Sequence, residues 1–474
     1  MGLLAGCTVG PDFHAPQAPA VTGYVRGDDA GAAASAPQFS TAASLAPDWW
    51  RLFESPVLNE AVQKGLEASP TIAAAKASLQ QAQDELRSGQ GVLLPQVSVD
   101  ASAVRQQASS AASPLHIQQG TFNLFSLSGG VSYLLDIFGG ERRAVEALGA
   151  AVDYQQNIAR AASLTLASNI ADTVIAIAAY RAEIAATNET VKSEQGLVWL
   201  AHAQALAGTG SYAAEMSLKA QMEATQAELP GLEQQLAKAE HLLAVLEGHL
   251  PAQMPPMAIA FDDIALPRTL PVSLPSDLVR QRPDILQAEA SLHAASAEIG
   301  VQTAAMLPSI TLSGTAGYSA TSSNALFSGQ SGLWSLGAGI TQPIFNGGTL
   351  WYRRQAARDA YDVADAQYRQ TVLAAFQQVA DSLRALQHDA TALAARQQAL
   401  DTSRRARALA EANYKAGLSG YSELLLADSQ LHQAEIAWVQ AKAAQYQDTV
   451  ALFASLGGGW WNISTGPEKI SAMH

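Results

Sequence analysis

The chain carries one pattern twice, and that duplication limits its possible folds more than any other feature. Pro70-Thr71-Ile72 aligns with Pro283-Asp284-Ile285, Leu79 with Leu292, and Leu94-Pro95 with Leu307-Pro308, each pair 213 residues apart. Gly208 and Tyr212 align with Gly417 and Tyr421, and Gly248 with Gly457, each 209 apart. Ile137-Phe138-Gly139-Gly140 has its counterpart in Ile344-Phe345-Asn346-Gly347-Gly348. Self-similarity at a fixed period marks a repeated structural unit. The two copies, residues 56–265 and 266–460, fill most of the 474 residues. They are expected to share a fold and a common interior, not to form independent domains. Residues 1–7, 8–55 and 461–474 flank them as an amino-terminal signal remnant, an extended tether and a tail.

Each copy has the same internal order. A helical segment, about 56–89 and 276–305, precedes two β-like stretches. In the first copy Val97, Val99, Ala101 and Ala103 alternate with Gln96, Ser98, Asp100 and Ser102, the period of a strand. In the second, Ile310, Leu312, Gly314, Ala316 and Tyr318 line one face, and Trp334, Leu336, Ala338 and Ile340 follow on the return. The hairpins are placed at about 95–138 and 308–345. Beyond each, the period becomes helical. Leu166, Ile170, Val174, Ile177 and Ile184 form one apolar stripe, and Leu373, Phe376, Val379, Leu383, Leu386 and Leu393 form the other. No proline interrupts 141–229 or 344–466. A helix over 349–416 would run about 100 Å at 1.5 Å per residue. Glycine-bearing turns, Gly208-Thr209-Gly210 and Gly417-Leu418-Ser419-Gly420, then separate each long helix from a return helix.

Composition narrows the function. With 28 basic and 42 acidic residues, the net charge of −14 argues against nucleic acid as a partner. One cysteine excludes a disulfide framework and multi-cysteine metal sites. No uninterrupted run of 18 apolar residues occurs, so no helix is expected to span a bilayer. The lone Cys7 closes the tetrad Leu4-Ala5-Gly6-Cys7, which has the form of a bacterial lipobox. Lipid on Cys7 would hold the chain at a membrane surface. Only six residues precede Cys7, fewer than a signal peptide needs, so the true start codon is expected upstream of Met1.

Four strands are too few to close a membrane barrel, which takes about eight. An open sheet in lipid would leave unpaired backbone groups. If the sheet is membrane-embedded, several chains must pool their strands, and three chains give twelve. The expected fold is therefore mainly α with a β-barrel portion. It would be a trimeric 12-stranded membrane barrel continued by a long α-helical barrel, built from two tandem repeats. A soluble β-layer capping a helical rod is the alternative.

Four segments carry a family likeness: Cys7-Thr8-Val9-Gly10-Pro11-Asp12-Phe13, Asp48-Trp49-Trp50-Arg51-Leu52-Phe53, Leu274-Pro275-Ser276-Asp277-Leu278 with Arg282-Pro283-Asp284-Ile285, and Tyr414-Lys415-Ala416-Gly417 with Leu456-Gly457-Gly458-Gly459-Trp460. On these the chain resembles the TolC-type outer-membrane efflux factors, in particular their NodT-like lipoprotein branch. The resemblance implies a homotrimer in the outer membrane, extending into the periplasm. It also implies docking to a periplasmic adaptor protein and an inner-membrane pump, usually proton-driven. The implied function is passive conduction of small molecules such as drugs.

Such a conduit needs a wet path and a gate and no cofactor. The gate is expected at the turns formed by Gly208, Gly210, Tyr212, Gly417, Gly420 and Tyr421. Tyr414 and Lys415 occupy the family's Tyr-basic position there. Relatives commonly carry Leu-Asp-Ala-Gln just inside the return helix, whereas this chain reads Leu425-Leu426-Ala427-Asp428. Leu426 thus replaces the usual acid and would make an apolar constriction, with Glu423 or Asp428 supplying charge. Three copies of −14 give −42, which favours a cation-preferring lumen if the acids face inward. Catalytic motifs are missing: no H-E-x-x-H, phosphate-binding loop or nucleophile elbow occurs, and the nine histidines show no ligand spacing. The remaining rivals are a conduit for type I protein secretion and a self-assembling helical structural protein.

Overall fold

A computed structural model describes residues 8–25, 38–40, 45–107, 120–255, 257–267 and 269–462. Cys7 lies outside the described residues. Two compact units emerge, one made of residues 1–16, 78–156 and 287–369, the other of 17–77, 157–286 and 370–474. Each draws on both sequence repeats, and the chain crosses from one to the other inside helices at 77–78, 156–157, 286–287 and 369–370.

The first unit contains the four-stranded sheet. Its strands are β2 (Gln96–Gln107), β3 (Thr121–Leu135), β5 (Ser309–Ala320) and β6 (Gly332–Thr341), numbered after the short β1 and β4 described below. They pair antiparallel in the order β2-β3-β5-β6, so the two hairpins meet through β3 and β5. The register sorts side chains by face. Across the sheet, Val97, Val131, Gly314 and Leu336 stand in one row, and Val99, Gly129, Ala316 and Trp334 in another on the same face. The intervening row, Ser98, Gly130, Thr315 and Ser335, lies on the opposite face. On that polar face the hydroxyls of Ser126 and Ser319 meet at 3.1 Å. The apolar face is bare in the single chain: Trp334 is 76% and Leu336 80% exposed. β2 and β6 each pair on one side only.

This unit also holds residues expected as a free tether. Val9 N–H donates to the Phe138 carbonyl at 3.0 Å, and Phe13 stacks on His293 at 4.4 Å. Arg143 donates to Asp12 at 2.7 Å and to Glu146 at 2.7 Å. Residues 8–13 are therefore extended but fastened, because a buried guanidinium draws in the backbone and carboxylate beside it.

In the second unit β1 (Gln38–Ser40) pairs parallel with β4 (Thr269–Pro271). The tether reading also gives way at Trp49–Phe53, a 3-10 turn packed into an aromatic core. Trp49 and Phe53 lie against Phe453, and Phe53 against Tyr446, all with ring centroids 5.5–6.5 Å apart. Helices α1 (Pro56–Ala68) and α2 (Pro70–Gln90) replace the single helix expected over 56–89. Likewise α6 (Pro275–Gln281) and α7 (Pro283–Ala304) are broken at a proline, which cannot donate an amide to the preceding turn. The first return helix is also split, into α4 (Tyr212–Gln226) and α5 (Leu229–Leu246), with Pro230 in the first turn of α5. Its counterpart α9 (Tyr421–Ser455) is unbroken.

The two long helices, α3 (Gly140–Leu206) and α8 (Thr349–Lys415), have 67 residues each. In α8 the buried stripe is Val372, Ala375, Val379, Leu383, Leu386 and Ala390, and the expected member Leu373 is exposed. Small alanines serve at contacts where a longer side chain was sought. An 18-residue window of α3 reaches a mean hydropathy of 1.5, so the expectation that no helix is apolar enough to cross a bilayer needs correction. The window is 56% buried in the protein, and Ile170, Val174, Ile175 and Ile177 are enclosed completely, as in a core helix.

Phe53→Ala removes a fully buried ring, and such truncations cost about 3–5 kcal/mol. The midpoint of thermal unfolding should fall accordingly; an unchanged midpoint would show that the aromatic cluster does not hold the second unit together.

Candidate functional site

The site is built at the turns that end the long helices, all within the second unit. Gly208 and Gly417 have φ of +72° and +73°, a left-handed backbone that glycine adopts without strain. Both complete the same cap. Gly208 N–H donates to the Ala205 carbonyl and Thr209 N–H to Gln204; Gly417 N–H donates to Tyr414 and Leu418 N–H to Asn413. These paired bonds satisfy the last carbonyls of each helix and stop it. The return helices then start from Ser211, whose hydroxyl accepts the Ala214 N–H at 3.1 Å, and from Gly420.

Next to the turns, α3, α4, α8 and α9 close on a small apolar cluster of Leu197, Ala201, Leu218, Tyr414 and Leu424. Tyr414 is buried there and donates its hydroxyl to Gln204 Oε1 at 3.1 Å, linking α8 to α3. Burial raises the Tyr414 phenol above its ordinary value, so it remains a donor at neutral pH. Lys415 is exposed and pairs with Glu411 one turn back on its own helix at 2.7 Å. That hydrogen bond, with Arg407 assisting, holds the Glu411 carboxyl below the usual range. Of the two residues, only Tyr414 joins different helices within the chain.

The acids separate sharply. Leu426 is 61% exposed and Glu423 is also exposed, whereas Asp428 is buried at 3%. Asp428 accepts from Arg407 Nε at 3.2 Å. Enclosed by its own chain, Asp428 presents no charge to water, so the reading of it as a solvent-facing gate acid is corrected. Its neighbour-facing position follows from helical spacing, since Leu424, Ala427 and Asp428 share the buried side of α9.

Arg407 is the organising group that sequence reasoning missed. Its guanidinium reaches Asp428 on α9, Ser193 on α3 and Glu411 on α8. Arg407, Glu411 and Lys415 recur every four residues, which reads in sequence as an ordinary solvated stripe. Glu194, likewise missed, is 2% exposed and accepts from Thr225 of α4 at 3.1 Å. Tyr212 and Leu418 remain exposed at the turns. Among the described residues, no group of three or more His, Cys, Asp or Glu side chains is placed to hold a metal.

A sheet apolar on one face and polar on the other, followed by helices of 67 residues with duplicated caps, defines a channel-type membrane protein subunit. The chain belongs to the outer membrane efflux protein family, which it matches over residues 61–249 and 274–458, once in each half. It is 32% identical over 430 residues to the pyoverdine export outer membrane protein OpmQ of Pseudomonas putida, covering 90% of this chain and 91% of that one. It is 29% identical to the antibiotic efflux pump outer membrane protein ArpC of Pseudomonas putida, over 97% and 94% of the two chains. The solved outer-membrane channel OprN superposes with a TM-score of 0.87 at 26% identity, covering 96% of this chain and all of that one. These matches place the chain among outer-membrane efflux channels.

Arg407→Ala would leave Asp428 buried without its cation. Truncating one member of such a pair costs on the order of 3 kcal/mol. Limited proteolysis should then cut faster near residues 190–200 and 424–432; an unchanged cleavage pattern would deny Arg407 its organising role.

Proposed function

We propose that this chain forms the outer-membrane channel of a tripartite efflux pump, as a homotrimer whose three sheets close one twelve-stranded barrel. The carrying observation is the four-stranded sheet itself: its apolar face is bare, and β2 and β6 each lack a neighbour on one side. Joining β2 of one subunit to β6 of the next satisfies both edges, as lipid requires. Strands of 10 to 15 residues are long enough to cross a bilayer when tilted. Repeats 56–265 and 266–460 then contribute equivalent sixths of barrel and helical tunnel.

The relatives' names support small molecules as cargo, since OpmQ is described as exporting pyoverdine and ArpC as serving antibiotic efflux. A periplasmic adaptor would meet the turn end, where Tyr212 and Leu418 stand exposed, and a proton-driven inner-membrane pump would drive the flow. Lipid on Cys7 would anchor each subunit close to the fastened segment 8–13.

The gate is assigned to the turn end. Tyr414 holds α8 to α3, Lys415 presents a cation, and Leu426 and Glu423 line the exposed side of α9. Replacing Tyr414 and Lys415 together with Ala should raise single-channel conductance in planar bilayers; equal conductance removes this assignment. For the trimer, chemical cross-linking of detergent-extracted protein should stop at three subunits, and a stable lone subunit without pore activity would overturn the channel reading. Labelled palmitate should enter the full precursor and fail to enter its Cys7→Ser variant; equal labelling would dismiss the anchor.

A further inference from the structure

Two carboxyl groups lie side by side inside the turn end of the second unit. Glu194 of α3 and Asp428 of α9 are 2% and 3% exposed, the Asp428 charge acts directly on Glu194, and the Arg407 guanidinium that holds Asp428 also reaches Ser193, the residue before Glu194. Two ionised carboxylates have no proton to donate, so a hydrogen bond can form between them only when one is protonated. Each group has one oxygen provided for. Thr225 of α4 donates to Glu194 Oε1 at 3.1 Å, and Arg407 of α8 donates to Asp428 Oδ1 at 3.2 Å. The other two oxygens, Glu194 Oε2 and Asp428 Oδ2, are buried with no hydrogen-bond partner from the described residues. A single shared proton supplies the partner that both lack.

The charges around the pair agree. From α8, Arg407 is divided between Asp428 and Glu411, and Lys415 is taken by Glu411. From α4 come only the neutral Thr225 and Gln221. One turn along α9, His432 is engaged by Glu228 through Nε2 and faces Thr190 through Nδ1. Among the described residues, Arg407 is the cation in contact with the pair, so one negative charge is matched and a second is not. Burial first, and the Asp428 charge second, push the Glu194 carboxyl up to about 7.

We propose that Glu194 and Asp428 form a proton-binding site that ties α3 and α4 to α9 beside the turns, holding this helix arrangement while the shared proton is bound and loosening it when the proton leaves. A glutamate freed into water titrates near 4.5, against about 7 in the packed bundle. The packed arrangement therefore binds the proton more tightly than an opened one. Its advantage is complete below about pH 4.5, declines as pH rises, and is gone above about pH 7. Such a site weakens with alkali, whereas a purely ionic lock weakens with salt.

The test uses the full chain in lipid nanodiscs. Hydrogen exchange of peptides covering residues 190–200 and 424–432 would be followed from about pH 5 to about pH 8, corrected for the intrinsic rate. In the unaltered protein, protection should fall as pH rises, with its lower plateau reached above neutrality. Glu194→Gln supplies a permanent amide donor to Asp428 Oδ2, and its protection should be flat across the same range. The infrared spectrum of the unaltered protein minus that of Glu194→Gln should show a protonated-carboxyl carbonyl band that disappears with alkali. Asp172 and Asp389, which burial also raises to about 7, are present in both proteins, so the difference between them reports the pair. Identical pH profiles, or a spectrum of the unaltered protein minus Glu194→Gln that holds no such band, would overturn the proposal. If Glu194→Gln folds poorly, Asp428→Asn takes its place in both measurements, and the same outcomes support or overturn the site. Neither readout depends on transport, so either outcome leaves the channel reading to its own tests.

Discussion

A backbone amide or carbonyl that faces hydrocarbon without a partner costs several kcal/mol, and this sheet ends on both sides in rows of such groups. The outer edges of β2 and β6 make the four-stranded sheet an incomplete object in a bilayer. In water the bare row of Val97, Val99, Trp334 and Leu336 would be equally unfavourable, because it exposes a continuous apolar surface. In the proposed trimer both problems have one remedy, the pairing of the β2 edge of one subunit with the β6 edge of the next in lipid. The polar row of Ser98, Thr315 and Ser335 would then face an aqueous interior. In that proposal, association and membrane insertion are two consequences of the same unsatisfied groups.

The helices obey a different economy. An alanine-rich wall gains little from any single side chain, so contact depends on close backbone approach repeated over many turns, as Ala375 and Ala390 show in α8. Long helices also need firm ends. The identical caps at Gly208 and Gly417 satisfy carbonyls that would otherwise be left open, and they fix where each chain reverses. Beside those caps lie the least forgiving contacts in the bundle: a guanidinium divided among three helices and two carboxyls with one cation between them. Apolar packing tolerates small shifts, whereas buried charges respond steeply to loss of a partner.

Much of the architecture was legible in the chain because it rests on local and periodic signals. The period-two alternation from Val97 to Ala103 set strand and face together, and the proline-free stretches announced the long helices. The 209-residue offset between Gly208 and Gly417 located two equivalent turns. Errors arose where partners are distant. Leu373 looked like core by type and spacing, but its neighbour Val372 takes the buried face. Trp49 and Phe53 looked like part of a tether, yet they pack against Phe453, four hundred residues later in the chain. Asp428 read as a surface acid because nothing near it in sequence reveals Arg407 or Glu194.

What the sequence determined alone is therefore the inventory: two repeats, their strands and helices, the turns between them and the face each strand presents. These follow from hydrogen bonding and side-chain periodicity over a few residues. The tertiary structure decided which acids are solvated and which are enclosed, and which cation each one meets. Burial and charge pairing depend on groups brought together from separate helices, and no spacing along the chain encodes the distance between them.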